Sequence, residues 1–217
     1  MGLSDIPLDW VASYLSDRMQ AYCKHNFYAD DLQIYHHCEP SDLPNGIQRV
    51  NNDIVSIAQW ATSRGLTLNS TKTQAIIFGT ARYINSIKLD LLPAININEQ
   101  AIKLSTSIKY LGVTVANTLS WNIHVQNVVK RIRTKLYQLK LTKHLLPNEL
   151  RLRLIISLVF PHLDYCCAAL TDITEQQNLQ LYRAINACIR FAANVRWSEH
   201  VTPHYREFRL LKTEARR

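Results

Sequence analysis

No C-x-x-C pair occurs among the five cysteines, Cys23, Cys38, Cys166, Cys167 and Cys188, and their number is odd. That pattern fits reduced intracellular thiols better than a disulfide framework. No signal-peptide pattern develops, because Asp5 and Asp9 interrupt the N-terminal apolar residues. Nor is any apolar run long enough for a bilayer: Leu154 to Phe160 is the longest, and Arg151 and Arg153 come just before it. The expectation is a soluble, intracellular chain with no membrane partner, and the sequence does not choose between nucleus and cytoplasm. Internal repeats and low-complexity tracts are missing too, so the architecture is read element by element.

What is present is an ordinary globular composition. Of 217 residues, 47% are hydrophobic and 19% charged, which excludes a disordered or fibrous chain. The net charge of +8 is unevenly placed. Residues 1–129 hold 9 basic and 10 acidic side chains, whereas residues 130–217 hold 16 and 7, a net of +9. That excess points either to an anionic partner for the C-terminal part or to a solvated basic helical surface.

Periodicity supplies the elements. Asp9 to Arg18 reads as a short helix, and Phe27-Tyr28-Ala29-Asp30-Asp31-Leu32 as two strands meeting at a tight turn. Apolar residues at Ile47, Val50, Ile54, Ile57 and Ala61 predict an amphipathic helix over 46–64, ended by Gly65. Gln74 to Phe78 reads as a buried strand, Ile95 and Ile97 alternate, and Ile108 to Val115 is a further β segment. After Ser120 the period turns helical. A long helix is predicted over 121–141, with Val125, Val128, Ile132, Leu136 and Leu139 on one face. A second runs from about Pro147 to Val159, before Pro161, and a third starts at Thr174 with Gln177 completing a capping box. The fold class is α+β.

Two adjacent carboxylates on a turn are an economical holder for Mg²⁺, which needs only one or two of them besides substrate phosphates. Most Asp-Asp pairs are nonetheless solvated turns. The full string Phe27-Tyr28-Ala29-Asp30-Asp31 is more specific, because it reproduces the aromatic-Tyr-Ala-Asp-Asp signature of reverse transcriptases. Three further blocks follow in that family's order. They are Gly65-Leu66-Thr67-Leu68-Asn69 with Lys72-Thr73, then Lys109-Tyr110-Leu111-Gly112-Val113, then Leu119-Ser120-Trp121 with His124. Pro161 to Tyr165, Leu179 to Phe191 and Val201 to Arg217 also resemble the helical region after the thumb. The chain thus resembles RNA-directed DNA polymerases of non-long-terminal-repeat retrotransposons, especially jockey-like elements, over almost its whole length.

The resemblance implies roles. Asp30 and Asp31 would be catalytic and would hold Mg²⁺, and Tyr28 would lie near the primer–template minor groove. Lys72 would sit close to the incoming triphosphate, and Tyr110, Leu111 and Gly112 would position the primer end. The partners would be an RNA template and a DNA primer. From charge alone, Lys130, Arg131, Arg133, Lys135 and Lys140 are candidates for sequence-independent nucleic-acid binding.

Departures from the family pattern carry equal weight. The helix before residue 18 runs almost directly into His25-Asn26-Phe27, so the family's glycine–proline loop is absent. The strand bearing the third catalytic aspartate has no counterpart either. The expected organisation is a remnant helix over 1–22, the C-terminal half of a polymerase palm over 23–118, and a basic thumb-like region over 119–217. Catalysis is expected to be impaired, leaving a non-catalytic nucleic-acid-binding module as the alternative. His36-His37-Cys38, and His200 and His204 with Cys188 upstream, are weaker metal candidates; Pro203 argues against a regular helix there. Oligomeric state is not legible.

Overall fold

Helices and short antiparallel strand pairs are mixed along the chain, as the α+β expectation requires. The computed structural model describes residues 23–170 and 172–216. The helix predicted over Asp9–Arg18 lies outside the described residues. Two units are distinguished, one ending at Thr106 and the other beginning at Ser107.

In the first unit, β1 (Lys24–Tyr28) and β2 (Asp31–Tyr35) form a two-residue hairpin, with Tyr28 opposite Asp31. Helix α1 (Leu43–Ser63) buries Ile47, Ile54, Ile57 and Ala61, the face that the 3–4 spacing predicts. It ends in a Schellman motif: Leu66 N–H donates to Ala61 O at 2.8 Å and Gly65 N–H to Thr62 O at 3.0 Å. Gly65 takes φ +71°, a left-handed conformation open to glycine at little cost. A short helix α2 (Ala81–Ser86) follows, then β3 (Ile95–Ile97) and β4 (Gln100–Ile102). Asn51 ties α1 to this ribbon, donating to Ala94 O at 2.8 Å and accepting from Asn96 N–H at 3.1 Å. The strand expected over Gln74–Phe78 does not form. Ala75 makes a single parallel bridge with Leu104, and residues 75–77 are only half-buried. A strand needs a neighbour of matching length, and the segment beside it, Leu104 and Ser105, is a short link before the next hairpin.

The second unit opens with another hairpin, β5 (Ser107–Tyr110) and β6 (Val113–Ala116), which packs on helix α3 (Asn122–Leu141). The change of period near Ser120 therefore falls inside this unit. Helices α3, α4 (Asn148–Leu158) and α6 (Glu175–Ala193) share one core, in which Val125, Ile132, Ile155, Leu181, Ile185 and Ile189 are fully buried. Each such side chain contributes about 1.5–3 kcal/mol on burial. The predicted capping box is present: Thr174 Oγ1 accepts from Gln177 N–H and Gln177 Oε1 from Thr174 N–H. Asn194, at φ +58°, ends α6.

The helix expected from about Pro147 to Val159 is α4, with Pro147 and Val159 as its caps. Pro161 then sits in the first turn of a separate short helix, α5 (Phe160–Asp164), where a missing N–H costs no intrahelical bond. One expectation for this region needs correction: Asn148–Ala169 taken whole is long and apolar enough, by length and composition, to cross a membrane. In this unit the stretch is broken at Val159, and Ile155, Val159, Phe160 and Leu163 face the shared core. Arg151 within it is buried, donating to Lys143 O at 3.0 Å and lying over the Phe191 ring at 5.7 Å.

Candidate functional site

The acidic hairpin is built by the shortest possible connection. Ala29 and Asp30 form the turn, and Ala29 takes φ +53°, a conformation that costs an L-residue about 1–2 kcal/mol. Opposed residues in a ribbon share a face, so Tyr28 and Asp31 stand side by side while Asp30 occupies the corner. All three side chains are exposed, Tyr28 at 60%. The arrangement is a two-carboxylate shelf open to solvent. Exposed carboxylates of this kind suit Mg²⁺, which takes one or two of them together with substrate phosphates. Among the described residues no group of three or more His, Cys, Asp or Glu side chains comes together.

Cys23 N–H donates to Asp53 Oδ2 at 2.8 Å, fastening the base of the hairpin to the buried face of α1. Burial first, and then Asp53, push the Cys23 thiol up to about 12, so it stays protonated and is no nucleophile.

Lys72 is exposed on a polar turn whose organiser is Asn69. Asn69 Oδ1 accepts from Lys72 N–H at 3.1 Å and Thr71 Oγ1 at 2.7 Å, and its carbonyl accepts from Thr73 N–H at 3.0 Å. The G-L-x-L-N-x-x-K-T spacing thus has a local cause. Its glycine closes a helix, and its asparagine folds the turn that presents the lysine.

In the second unit, Leu111 at φ +45° and Gly112 at φ +82° turn β5 into β6, with Tyr110 paired to Val113. The turn is clamped from 54 residues away: Tyr165 hydroxyl donates to Leu111 O at 2.6 Å. A Cβ on Gly112 would come within 2.9 Å of the Tyr165 ring. Tyr165 is therefore a positioning residue that sequence reasoning left without a role. Its signal was the Pro161–Tyr165 block, but a contact that distant has no periodic trace. The same block is fixed by Asp164, whose carboxylate accepts from Arg216 at 2.8 and 2.6 Å, while that guanidinium lies 4.3 Å from the Phe160 ring centre.

The Leu119–His124 block also has a structural cause. His124 is buried, and its Nδ1 stands 3.2 Å from Thr114 N, accepting that N–H and joining β6 to α3. Burial, and secondarily the Arg131 charge, hold the imidazole below its usual range, so the neutral acceptor form persists. Asn122 Oδ1 accepts from Gln177 Nε2, linking the start of α3 to the start of α6.

On α3, Lys130, Arg131, Arg133 and Lys140 are exposed, and Lys135 is half-buried at the edge of the core face. Helical geometry puts Lys130, Arg133, Tyr137 and Lys140 on the outward side, three or four residues apart. No acidic partner bonds any of the five candidate cations of α3 in an ion pair among the described residues. Neither weak metal candidate is assembled. Cys188 lies fully inside the core with its thiol pushed by burial up to about 12, and His204 pairs with Glu207 at 3.0 Å. Pro203 is accommodated in the first turn of helix α7 (Thr202–Glu207). His36 Nε2 lies 3.3 Å from Arg49 Nη1.

Over 189 aligned residues the chain is 24% identical to a Drosophila melanogaster protein named probable RNA-directed DNA polymerase from transposon X-element. The likeness is to a reverse transcriptase. It takes in 84% of this chain but only 20% of that protein, so the chain spans about a fifth of the relative's length. No family model matches, and no solved structure matches.

Proposed function

We propose that this chain is the C-terminal palm and thumb portion of a reverse transcriptase of the jockey-like, non-long-terminal-repeat kind, and that alone it binds nucleic acid without extending a primer. The observation that carries the reading is the order of four motif blocks, each of which has a defined place in the fold. The Tyr28–Asp31 hairpin would present carboxylates to phosphate-bound Mg²⁺, whose chemistry is to screen charge between the attacking and leaving oxygens of a phosphoryl transfer. Lys72 would neutralise charge on the triphosphate, and the Tyr110–Gly112 turn, held by Tyr165, would steady the primer end. Lys130, Arg131, Arg133, Lys135 and Lys140 would bind the backbones of an RNA template and DNA primer.

Impaired catalysis follows from two features: the absence of the glycine–proline loop between Arg18 and His25, and a metal shelf with two carboxylates. Loss of one preorganised group commonly costs a factor of about a hundred to a thousand in rate, so two losses leave background activity. In a primer-extension assay with an RNA template, deoxynucleotides and Mg²⁺ or Mn²⁺, this chain is expected to give no product above background. Extension that disappears in both Asp30→Ala and Asp31→Ala would contradict the impairment. A second reading, a sequence-independent nucleic-acid-binding module, is favoured by the exposed cations of α3 and needs no chemistry at the hairpin.

A further inference from the structure

The loop between α6 and α7 presents the most exposed large apolar side chain among the described residues. Trp197 is 85% exposed. Single exposed apolar residues are common on proteins, so exposure by itself decides nothing. What sets this one apart is how it is held. Arg196 to Glu199 form a tight turn with Trp197 and Ser198 at its corners, closed by Glu199 N–H donating to Arg196 O at 3.2 Å. Glu199 then bonds twice more: its carboxylate accepts from Arg196 N–H at 2.8 Å, and its carbonyl accepts from Arg190 Nη2 at 3.3 Å. The turn is therefore braced to the end of α6, and the indole projects from a fixed base.

The charge around the indole is positive. Arg196 is its immediate neighbour and is exposed, and Arg190 is tied to the turn carbonyl. Arg183, exposed seven residues earlier on α6, lies on the same side of that helix about 10 Å away. The only carboxylate in the turn, that of Glu199, is occupied by the Arg196 backbone. A flat, solvent-facing aromatic on a braced turn, beside exposed Arg196 and half-buried Arg190, has the features of a platform on which an unpaired base stacks while its phosphates meet guanidinium groups. A duplex, whose bases are already stacked on one another, has no free face to offer.

We propose that Trp197, with Arg190 and Arg196, forms a stacking site for single-stranded nucleic acid. It does not depend on the polymerase reading. The test uses the full chain and fluorescently labelled oligonucleotides, an unpaired uridine-rich RNA and an RNA–DNA hybrid duplex, titrated at several salt concentrations. Trp197→Ala is expected to weaken single-strand binding about tenfold while duplex binding and the salt slope stay unchanged, because stacking is lost and no ionic contact is. Trp197→Phe keeps an aromatic face and is expected to retain most of the affinity. Equal single-strand affinity in the parent and Trp197→Ala would overturn the proposal, as would an equal loss toward duplex. Failure of the polymerase reading would appear elsewhere, in the primer-extension assay, and would leave this difference between substrates intact.

Discussion

The two units of this chain differ in how they support their chemistry-bearing residues. The carboxylates Asp30 and Asp31 stand on a two-stranded ribbon in a unit whose buried hydrophobic residues, among those described, are mainly one face of α1. The cations stand on helices whose inner faces close over a continuous core. A lone hairpin is marginal by itself, whereas packed helices hold side chains to a narrow range of positions. The difference is one of support: the cations of α3 rest on a closed helical core, and the carboxylates on a two-stranded ribbon.

The comparison breaks most directly in the core of the second unit. Ile132→Ala, at a fully buried site on α3, is expected to cost about 2–5 kcal/mol, read as a lowered urea midpoint. In the same preparation, hydrogen exchange should leave α6 amides such as those of Ile185 and Ile189 protected far longer than those of His25 and Gln33 in the acidic hairpin. Equal protection would remove the contrast between the units.

A matched pair of glycines sharpens it. Gly65 and Gly112 both have positive φ, but a Cβ on Gly65 meets nothing within 4 Å, whereas one on Gly112 meets the Tyr165 ring at 2.9 Å. Gly65→Ala is expected to cost about 1 kcal/mol, from backbone conformation alone. Gly112→Ala should cost roughly twice that, since Tyr165 must also shift. Comparable thermal midpoints for the two variants would mean that the clamp on the second turn is loose. Tyr165→Phe isolates the hydroxyl, and losing its bond to Leu111 O should cost about 1 kcal/mol.

The smallest expected effect depends on pH. His124 is held below its usual titration range by burial, with a lesser contribution from Arg131, and it must be neutral to accept the Thr114 N–H. Because the folded form binds its proton less readily than the unfolded one, its contribution is full above the unfolded value of about 6.5 and is lost as pH falls below it. Stability curves of the parent and His124→Leu should therefore converge between pH 7 and pH 5. Parallel curves would show that His124 keeps its partner when protonated.

Much of this was legible in the sequence, for physical reasons. The 3–4 spacing from Ile47 to Ala61 and from Val125 to Leu139 reports a buried face, and Thr174 with Gln177 reports a helix start, because both depend on neighbours a turn away. A tight turn in the Phe27–Leu32 block was visible for the same reason, although it falls on Ala29-Asp30, one residue before the Asp-Asp pair that marked it. What stayed hidden was long-range or negative. Gln74–Phe78 has the composition of a strand but lacks a partner of its length. The bonds from Tyr165 to Leu111 and from Arg216 to Asp164 join residues more than fifty positions apart, which no local pattern records. For the candidate site, the sequence singled out the carboxylates, Lys72 and the cations as residues; the turns and clamps around them came from the fold.

The central claim is that the basic surface of α3 binds nucleic-acid backbones without help from the acidic hairpin. Its most direct test is the salt dependence of binding to an RNA–DNA hybrid, for the parent and for a variant with Lys130, Arg131, Arg133 and Lys135 all changed to alanine. Each phosphate contact contributes a slope of about −0.9 in log affinity against log salt, so the variant should bind every sequence more weakly and flatten the slope by about 3 to 4. Asp30→Ala should leave the parent's slope unchanged. A quadruple variant that binds as tightly as the parent at every salt concentration would contradict the account, reducing the helix to a solvated face.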